Sequence, residues 1–320
     1  MSAQSTSLLM GWVGMEISVI SFFPLIIKQL KPHSSTLGGV HYFLIQAFGS
    51  SLFIVGLSLE GVTFFNFAGI IMLLSLMIKV GLTPCAGWVP RALQGLSWGG
   101  VFLASTLQKV GPVMFMSKIP QFDNPSMQYI IFSVCVSSML QGALMGLNTM
   151  KIREFFGWSS VIQSGWMVML SQLNQEYLFI YIIIYSAISF GVCSVLRSAA
   201  VYSFKDLTKS PNLNNTIRAA ISLGFLSLAG LPPLSGFSIK WAALQALVSS
   251  GWYNLALLIL VASAFTLMMY VKLCIAVYSH HWAVLVSSPP IKVNEMSRWS
   301  MTTSILVFTS LTPFVFLIIT

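Results

Sequence analysis

The chain has 320 residues, 56% of them hydrophobic and 7% charged. Soluble domains carry about 25% charged residues, so the composition excludes a soluble globular protein. A spanning helix takes about 20 mostly apolar residues, which leaves room for roughly ten spans and little else. The net charge of +9 comes from bases gathered on alternate connections, a topology signal and not a nucleic-acid surface.

The apolar runs predict an all-α polytopic membrane protein with spans over 8–27, 37–59, 62–81, 98–117, 127–147, 152–170, 177–199, 216–250, 252–278 and 300–320. The opening M-S-A-Q-S-T-S carries no basic or amphipathic presequence, so the first apolar helix would direct insertion itself. That helix holds Glu16 near its middle. A charge there is costly and usually faces a bundle interior or a water-filled path. Glu16 reads either as a structural carboxylate held by a hydroxyl such as Ser18, or as a proton carrier and partner for a lysine.

The third run ends on Lys79 and is broken by Gly81 and Pro84. Residues 82–97 are too short and too rich in Gly and Pro for a lipid-exposed span, and are expected as a short half-helix buried in protein. The fourth span carries Lys109 ahead of Gly111 and Pro112, which should loosen the backbone and free a carbonyl for water or the ammonium. The eighth run is interrupted at Gly230, Pro232, Pro233 and Gly236, with Lys240 following the break. Break and lysine thus occur in opposite order in the two places, which suggests an inverted repeat around a midplane ion pathway. Lys79 and Lys240 also admit a snorkelling reading, and Lys272, near its helix end, is assigned to snorkelling.

Of the 16 Lys and Arg, eleven fall on one set of alternate connections: Lys28, Lys31, Arg91, Lys151, Arg153, Arg197, Lys205, Lys209, Arg218, Lys292 and Arg298. The other set receives only Lys118, and Lys79, Lys109, Lys240 and Lys272 lie within apolar runs. This predicts both termini on the face opposite the basic one. The Asn214 sequon falls on the basic side and is expected to be unmodified. Glu154 reads as a local ion pair with Lys151 and Arg153. Glu60, Asp123, Glu176, Asp206 and Glu295 read as loop charges. Trp12, Trp98, Trp252, Tyr253, Tyr278 and Trp299 fit interfacial belts, while Trp88 is expected to pack.

Cys85, Cys135, Cys193 and Cys274 form no C-x-x-C pair, so the spacing supports no iron–sulfur cluster or structural zinc, and they read as small apolar fillers. Of His33, His41, His280 and His281 only the last two are close, and no G-x-G-x-x-G or P-loop occurs. The chain is expected to bring no redox or nucleotide chemistry of its own. One acid and three interior bases, Glu16, Lys79, Lys109 and Lys240, form a possible proton file. Burial disfavours a charged lysine and a nearby carboxylate favours it, so a lysine whose partner is added or withdrawn can load and unload.

These motifs carry a resemblance over most of the chain. W-V-G-M-E-I-S-V-I-S-F-F-P (12–24), K-V-G-L-T-P…W-V-P…L-Q-G-L-S-W (79–98), Q-K-V-G-P (108–112), G-L-N-T-M-K-I-R-E-F-F-G-W-S-S-V-I-Q-S-G-W-M (146–167) and S-L-A-G-L-P-P-L-S-G-F-S-I-K-W (227–241) together resemble the chain 2 family of antiporter-like membrane subunits of respiratory complex I, the mitochondrial NADH:ubiquinone oxidoreductase. The resemblance implies a single antiporter-like domain over 1–320, with a first half-repeat at about 8–117 truncated at its N-terminus, a second at about 127–278 and a C-terminal helix at 300–320. It implies that Glu16, Lys79, Lys109 and Lys240 line a proton path coupled to NADH oxidation and ubiquinone reduction. It implies the mitochondrial inner membrane, with basic loops towards the matrix and both termini in the intermembrane space. NADH, FMN, iron–sulfur clusters and ubiquinone would belong to other subunits, leaving this chain without cofactor or metal. The expected partners are a neighbouring antiporter-like subunit, small membrane chains, accessory subunits and lipid, the last two filling the groove where one family helix is missing.

The sequence departs from the family pattern where Cys85-Ala86 replace Phe-His, Arg91 replaces Glu, and Gln163 stands at a frequent His. A carboxamide carries no proton near neutrality, which puts a relay at Gln163 in doubt. The alternatives are a non-pumping scaffold of the membrane arm and a stand-alone cation/proton antiporter.

Overall fold

The computed structural model describes residues 8–29, 36–60, 65–209 and 215–278. Among them the chain is helical throughout: α1 Leu8–Gln29, α2 Thr36–Glu60, α3 Phe65–Val80, α4 Trp88–Gln94, α5 Trp98–Ser105, α6 Leu107–Met116, α7 Pro125–Asn148, α8 Ile152–Leu173, α9 Gln175–Ser198, α10 Phe204–Lys209, α11 Asn215–Ala229, α12 Ser235–Ser249 and α13 Tyr253–Tyr278. The first nine expected spans each have a helical counterpart. The tenth, at 300–320, lies outside the described residues, as do Lys31, His33, the Asn214 sequon, His280, His281, Lys292, Glu295, Arg298 and Trp299.

Helix α8 is the axis of the bundle. It packs against α7, α4, α9, α6 and α12, and every residue from Phe155 to Ser171 is buried. Four serines and Gln163 lie in that stretch. They are shielded by neighbouring helices and not by lipid, so their hydrogen bonds must be found inside the protein. Phe155 of α8 packs with Phe225 of α11 and Tyr270 of α13, the ring centroids 5.6 to 6.2 Å apart.

Two helices are broken in the same way. Gly81 and Gly230 both adopt φ of 83°, a left-handed conformation that glycine reaches without a Cβ penalty. At the first, the Gly81 and Leu82 amides both donate to the Met77 carbonyl, at 2.8 and 2.9 Å. At the second, the Gly230 and Leu231 amides converge on the Leu226 carbonyl, at 3.1 and 3.4 Å. Such closures satisfy part of a helix C-terminus and leave the last carbonyls open. The stretch after Gly81 forms a 3₁₀ turn at Cys85–Gly87 and then α4, the short half-helix that its length called for. Trp88 does pack: it lies 5.8 Å from the Tyr42 ring, and its indole donates to the Ile78 carbonyl at 3.1 Å.

A third break was not expected. The run 98–117 is two helices, parted at Thr106, where ψ is −78°. The proline ring of Pro112 excludes the carbonyl four residues back, that of Gln108, and supplies no amide to it. The Thr106 hydroxyl donates to the Phe102 carbonyl at 2.7 Å, a back-bond that bends helices. Helix α6 then runs straight through Gly111 and Pro112, so the distortion sits before Lys109 and not after it.

Two bases meet at the end of α4. Lys151 and Arg153 donate to Gln94, to its side-chain oxygen at 3.3 Å and its carbonyl at 3.2 Å. Both therefore turn away from the ion pair expected with Glu154. Arg153 lies over the Trp98 and Tyr202 rings at 5.6 and 4.7 Å, and Trp98 is buried, a packing residue and not a belt residue. Lys151 bridges Ser203. Lys272 donates to the Leu147 carbonyl at the end of α7 and lies 5.8 Å over the Phe204 ring. Asp206 is no loose loop charge: Ser203 and Asp206 cap α10 reciprocally. Partial burial of its carboxyl opposes the charged form, but hydrogen bonds from Ser203 and Tyr202 outweigh it and hold the group below the usual carboxylate range. Cys135 and Cys193 are buried fillers, while Cys85 and Cys274 are half-buried.

Close backbone approach fixes the second break. A Cβ at Gly236 would stand 1.7 Å from the Ser227 carbonyl oxygen. Overpacking of this kind costs about 1–3 kcal/mol where neighbours can shift, and here the neighbour is backbone. Gly236→Ala should therefore lower the thermal stability of the assembled protein by at least that amount. Gly87→Ala, whose Cβ would meet nothing within 4 Å, should leave it unchanged in the same melting measurement.

Candidate functional site

Glu16, Lys79, Lys109 and Lys240 occupy three stations. At the first, α3 carries Lys79 on its last turn against α1 and α2. The Lys79 ammonium donates to Glu16 Oε1 at 2.8 Å, with the lysine side chain 1% and the glutamate 23% exposed. The Lys79 carbonyl, near the break, accepts from Gln46 Nε2 at 3.1 Å. Gly49 lets the lysine stem lie flat, because a Cβ there would stand 3.0 Å from Lys79 Cγ. Ser18 does not hold Glu16. Its hydroxyl donates to the Met15 carbonyl at 2.6 Å, and its carbonyl accepts from Gln108 Nε2 at 3.0 Å. Gln108 thereby ties α6 to α1 beside the first station.

At the second station, Lys109 is buried and crosses to α8. Its ammonium donates to the Ser160 carbonyl at 2.7 Å and the Ser160 hydroxyl at 3.2 Å. The acceptor is thus on a neighbouring helix and not on a carbonyl freed in its own. At the third, buried Lys240 reaches back from α12 to the carbonyls of Leu228 and Ala229, at 2.9 and 2.7 Å. These are the open carbonyls that the Gly230 break leaves at the end of α11. The ammonium also lies 5.7 Å above the Trp166 ring, within cation–π range. Neither buried lysine snorkels.

Between the second and third stations stand Gln163, which the sequence marked as a departure from the family pattern, and Ser159, Tyr181 and Tyr270, which sequence reasoning missed. Gln163 Nε2 donates to the same Leu228 carbonyl at 3.1 Å and to the Tyr270 hydroxyl at 3.4 Å. Gln163 Oε1 accepts from Tyr181. The Tyr270 and Ser159 hydroxyls are 2.6 Å apart, and Ser159 precedes the Ser160 that holds Lys109. Ser159, Gln163, Tyr181 and Tyr270 are all buried. The available signal was the polar run W-S-S-V-I-Q-S at 158–164, whose polar groups at helical spacing required partners.

The family model described as NADH:quinone oxidoreductase/Mrp antiporter, TM, matches residues 5–266. NADH-ubiquinone oxidoreductase chain 2 of Anopheles gambiae is 31% identical over 282 residues, covering 86% of this chain and 81% of the relative. The protein of the same name from Struthio camelus is 31% identical, covering 95% and 88%. In fold, the chain is similar to a chain of respiratory complex I from Thermus thermophilus with bound aureothin, with a TM-score of 0.83, 21% identity and coverage of 99% of this chain and 75% of that one. It is also similar to a chain of the Mrp complex from Dietzia sp. DQ12-45-1b, with a TM-score of 0.80, 16% identity and coverage of 96% and 71%.

The first station predicts a double-mutant cycle. Removing one partner of a buried ion pair costs about 3–5 kcal/mol, because the other charge is left unmet. Glu16's partial exposure moves the expected loss to the lower part of that range. Glu16→Leu should lower thermal stability accordingly, and Glu16→Leu with Lys79→Leu should recover most of the loss. Equal melting of the single and double variants would contradict the pair.

Proposed function

The chain belongs to the NADH:quinone oxidoreductase/Mrp antiporter family, among its NADH-ubiquinone oxidoreductase chain 2 members, and from that premise we propose that it takes part in proton translocation within the membrane arm of respiratory complex I. The observation that carries the reading is the Lys79–Glu16 pair at 2.8 Å, deep against a broken helix, followed by two buried lysines held by neutral oxygens alone.

The three stations differ in what meets the charge. A carboxylate stabilises an ammonium strongly in an apolar interior, while carbonyls supply only dipoles. When Glu16 draws away or takes a proton, Lys79 loses its counter-charge. Repulsion between neighbouring ammonium groups then favours moving a charge along the file. The proton path residues are Glu16, Lys79, Lys109 and Lys240. NADH, FMN, iron–sulfur clusters and ubiquinone are handled by other subunits.

In this reading the basic end, with Lys151, Arg153 and Arg218, faces the matrix of the mitochondrial inner membrane, and both termini lie in the intermembrane space. The half-repeats at about 8–117 and 127–278 are supported by the shared glycine closures at Gly81 and Gly230, with a lysine before one and after the other. Partners are neighbouring antiporter-like and small membrane chains, accessory subunits and lipid.

Replacing Lys79 or Lys109 by Met keeps the stem's bulk and removes the charge. In the assembled complex reconstituted into vesicles, each should lower protons moved per NADH oxidised and slow NADH oxidation several-fold, with assembly intact on native gels. Unchanged proton output from an assembled Lys79→Met complex would remove the relay assignment.

A further inference from the structure

Between Lys109 and Lys240 lies a stretch that no lysine or carboxylate fills. It is occupied by Gln163, which makes three hydrogen bonds there. Its amide nitrogen donates to the Leu228 carbonyl and the Tyr270 hydroxyl, and its oxygen accepts from Tyr181. Tyr181 thereby fixes which end of the carboxamide faces Leu228. A carboxamide neither gains nor loses a proton near neutrality, so Gln163 holds its place without carrying charge.

We propose that the Tyr270 hydroxyl is the relay between the Lys109 and Lys240 stations, with Gln163 and Tyr181 as its positioning residues. The inference rests on reading both lysines as proton carriers.

The geometry supports each part of the step. Lys240 and Gln163 share the Leu228 carbonyl. When the flexible lysine arm turns from that carbonyl towards Tyr270, Gln163 keeps the Leu228 carbonyl hydrogen-bonded. The Tyr270 hydroxyl receives a donor on the Gln163 side and has the Ser159 hydroxyl at 2.6 Å on the other. It can therefore accept a proton from the Lys240 ammonium while releasing its own towards Ser159. Ser159 passes one onward, through a bridging water, to the Lys109 amine beside Ser160. Lys240 ends as the amine and Lys109 as the ammonium, and no charged phenolate accumulates. The rings of Phe155 and Phe225 pack against that of Tyr270, at 6.0 and 6.2 Å.

The test is a cycle in the assembled complex reconstituted into vesicles, reading protons per NADH oxidised alongside the NADH oxidation rate. Tyr270→Phe keeps the ring packing and removes the hydroxyl, and should lower proton output to the level of Lys240→Gln. Gln163→His replaces the carboxamide with a group that takes and releases protons near neutrality. Combined with Tyr270→Phe it should restore output. A merely structural Tyr270 would not be rescued in this way, so failure of the double variant to recover would overturn the relay. Normal output from Tyr270→Phe, with Lys109→Gln and Lys240→Gln deficient, would overturn the relay alone. Normal output from both lysine variants would overturn the proton file and the relay with it. If Tyr270→Phe does not assemble, Ser159→Ala replaces it in the same cycle with the same outcomes.

Discussion

An ammonium group inside an apolar bundle must be met by an oxygen, and the folded chain is arranged around where those oxygens come from. Lys79 takes a carboxylate from α1. Lys109 takes a serine on the axial helix α8. Lys240 takes the two carbonyls that α11 leaves open when it stops at Gly230. The broken helices are therefore not incidental to the charges. In a continuous helix the Leu228 and Ala229 carbonyls would accept from the amides of residues 232 and 233, but these are Pro232 and Pro233, which have no N–H, so both carbonyls stay open to Lys240. The left-handed glycine, the tight approach at Gly236 and the buried lysine make one unit.

The same constraint explains why α8 is polar yet central. Its serines and Gln163 would be costly against lipid. Surrounded by helices, Ser159, Ser160 and Gln163 become the acceptors and donors through which α6, α9, α11 and α13 are joined. Packing and function share these contacts, because the hydrogen bonds that lock the helices together are also those that adjoin the lysines. Among the described residues only the first station has a counter-charge, so in the proposed file it is the place where a conformational change in a neighbouring subunit can alter the electrostatics.

What the sequence made legible follows from range. Gly81, Pro84, Gly230 and the Pro232-Pro233 pair act locally, and both interruptions were readable from them. Lys109 and Lys240 were readable because a charge in an apolar run stands out. Thr106 did not stand out: it lies in a continuous apolar run, and Pro112 drew attention to the wrong side of Lys109. Tyr181 and Tyr270 sit in spans where an aromatic residue is unremarkable, and their partners are 18 and 107 or more residues away in the chain. The Glu154 pairing failed for a related reason. Sequence neighbours at a helix start seemed sufficient partners, but Arg153 gains more by lying over Trp98 and Tyr202 and bonding the Gln94 carbonyl, none of them local.

The central claim is that the Glu16–Lys79 pair changes its protonation during turnover. Infrared difference spectra of the assembled complex, recorded on addition of NADH, test it most directly. The account predicts a deuterium-sensitive protonated-carboxyl band that is present in the unaltered complex and missing from the Glu16→Gln complex. Identical spectra from the two, with undiminished proton output from the variant, would contradict it.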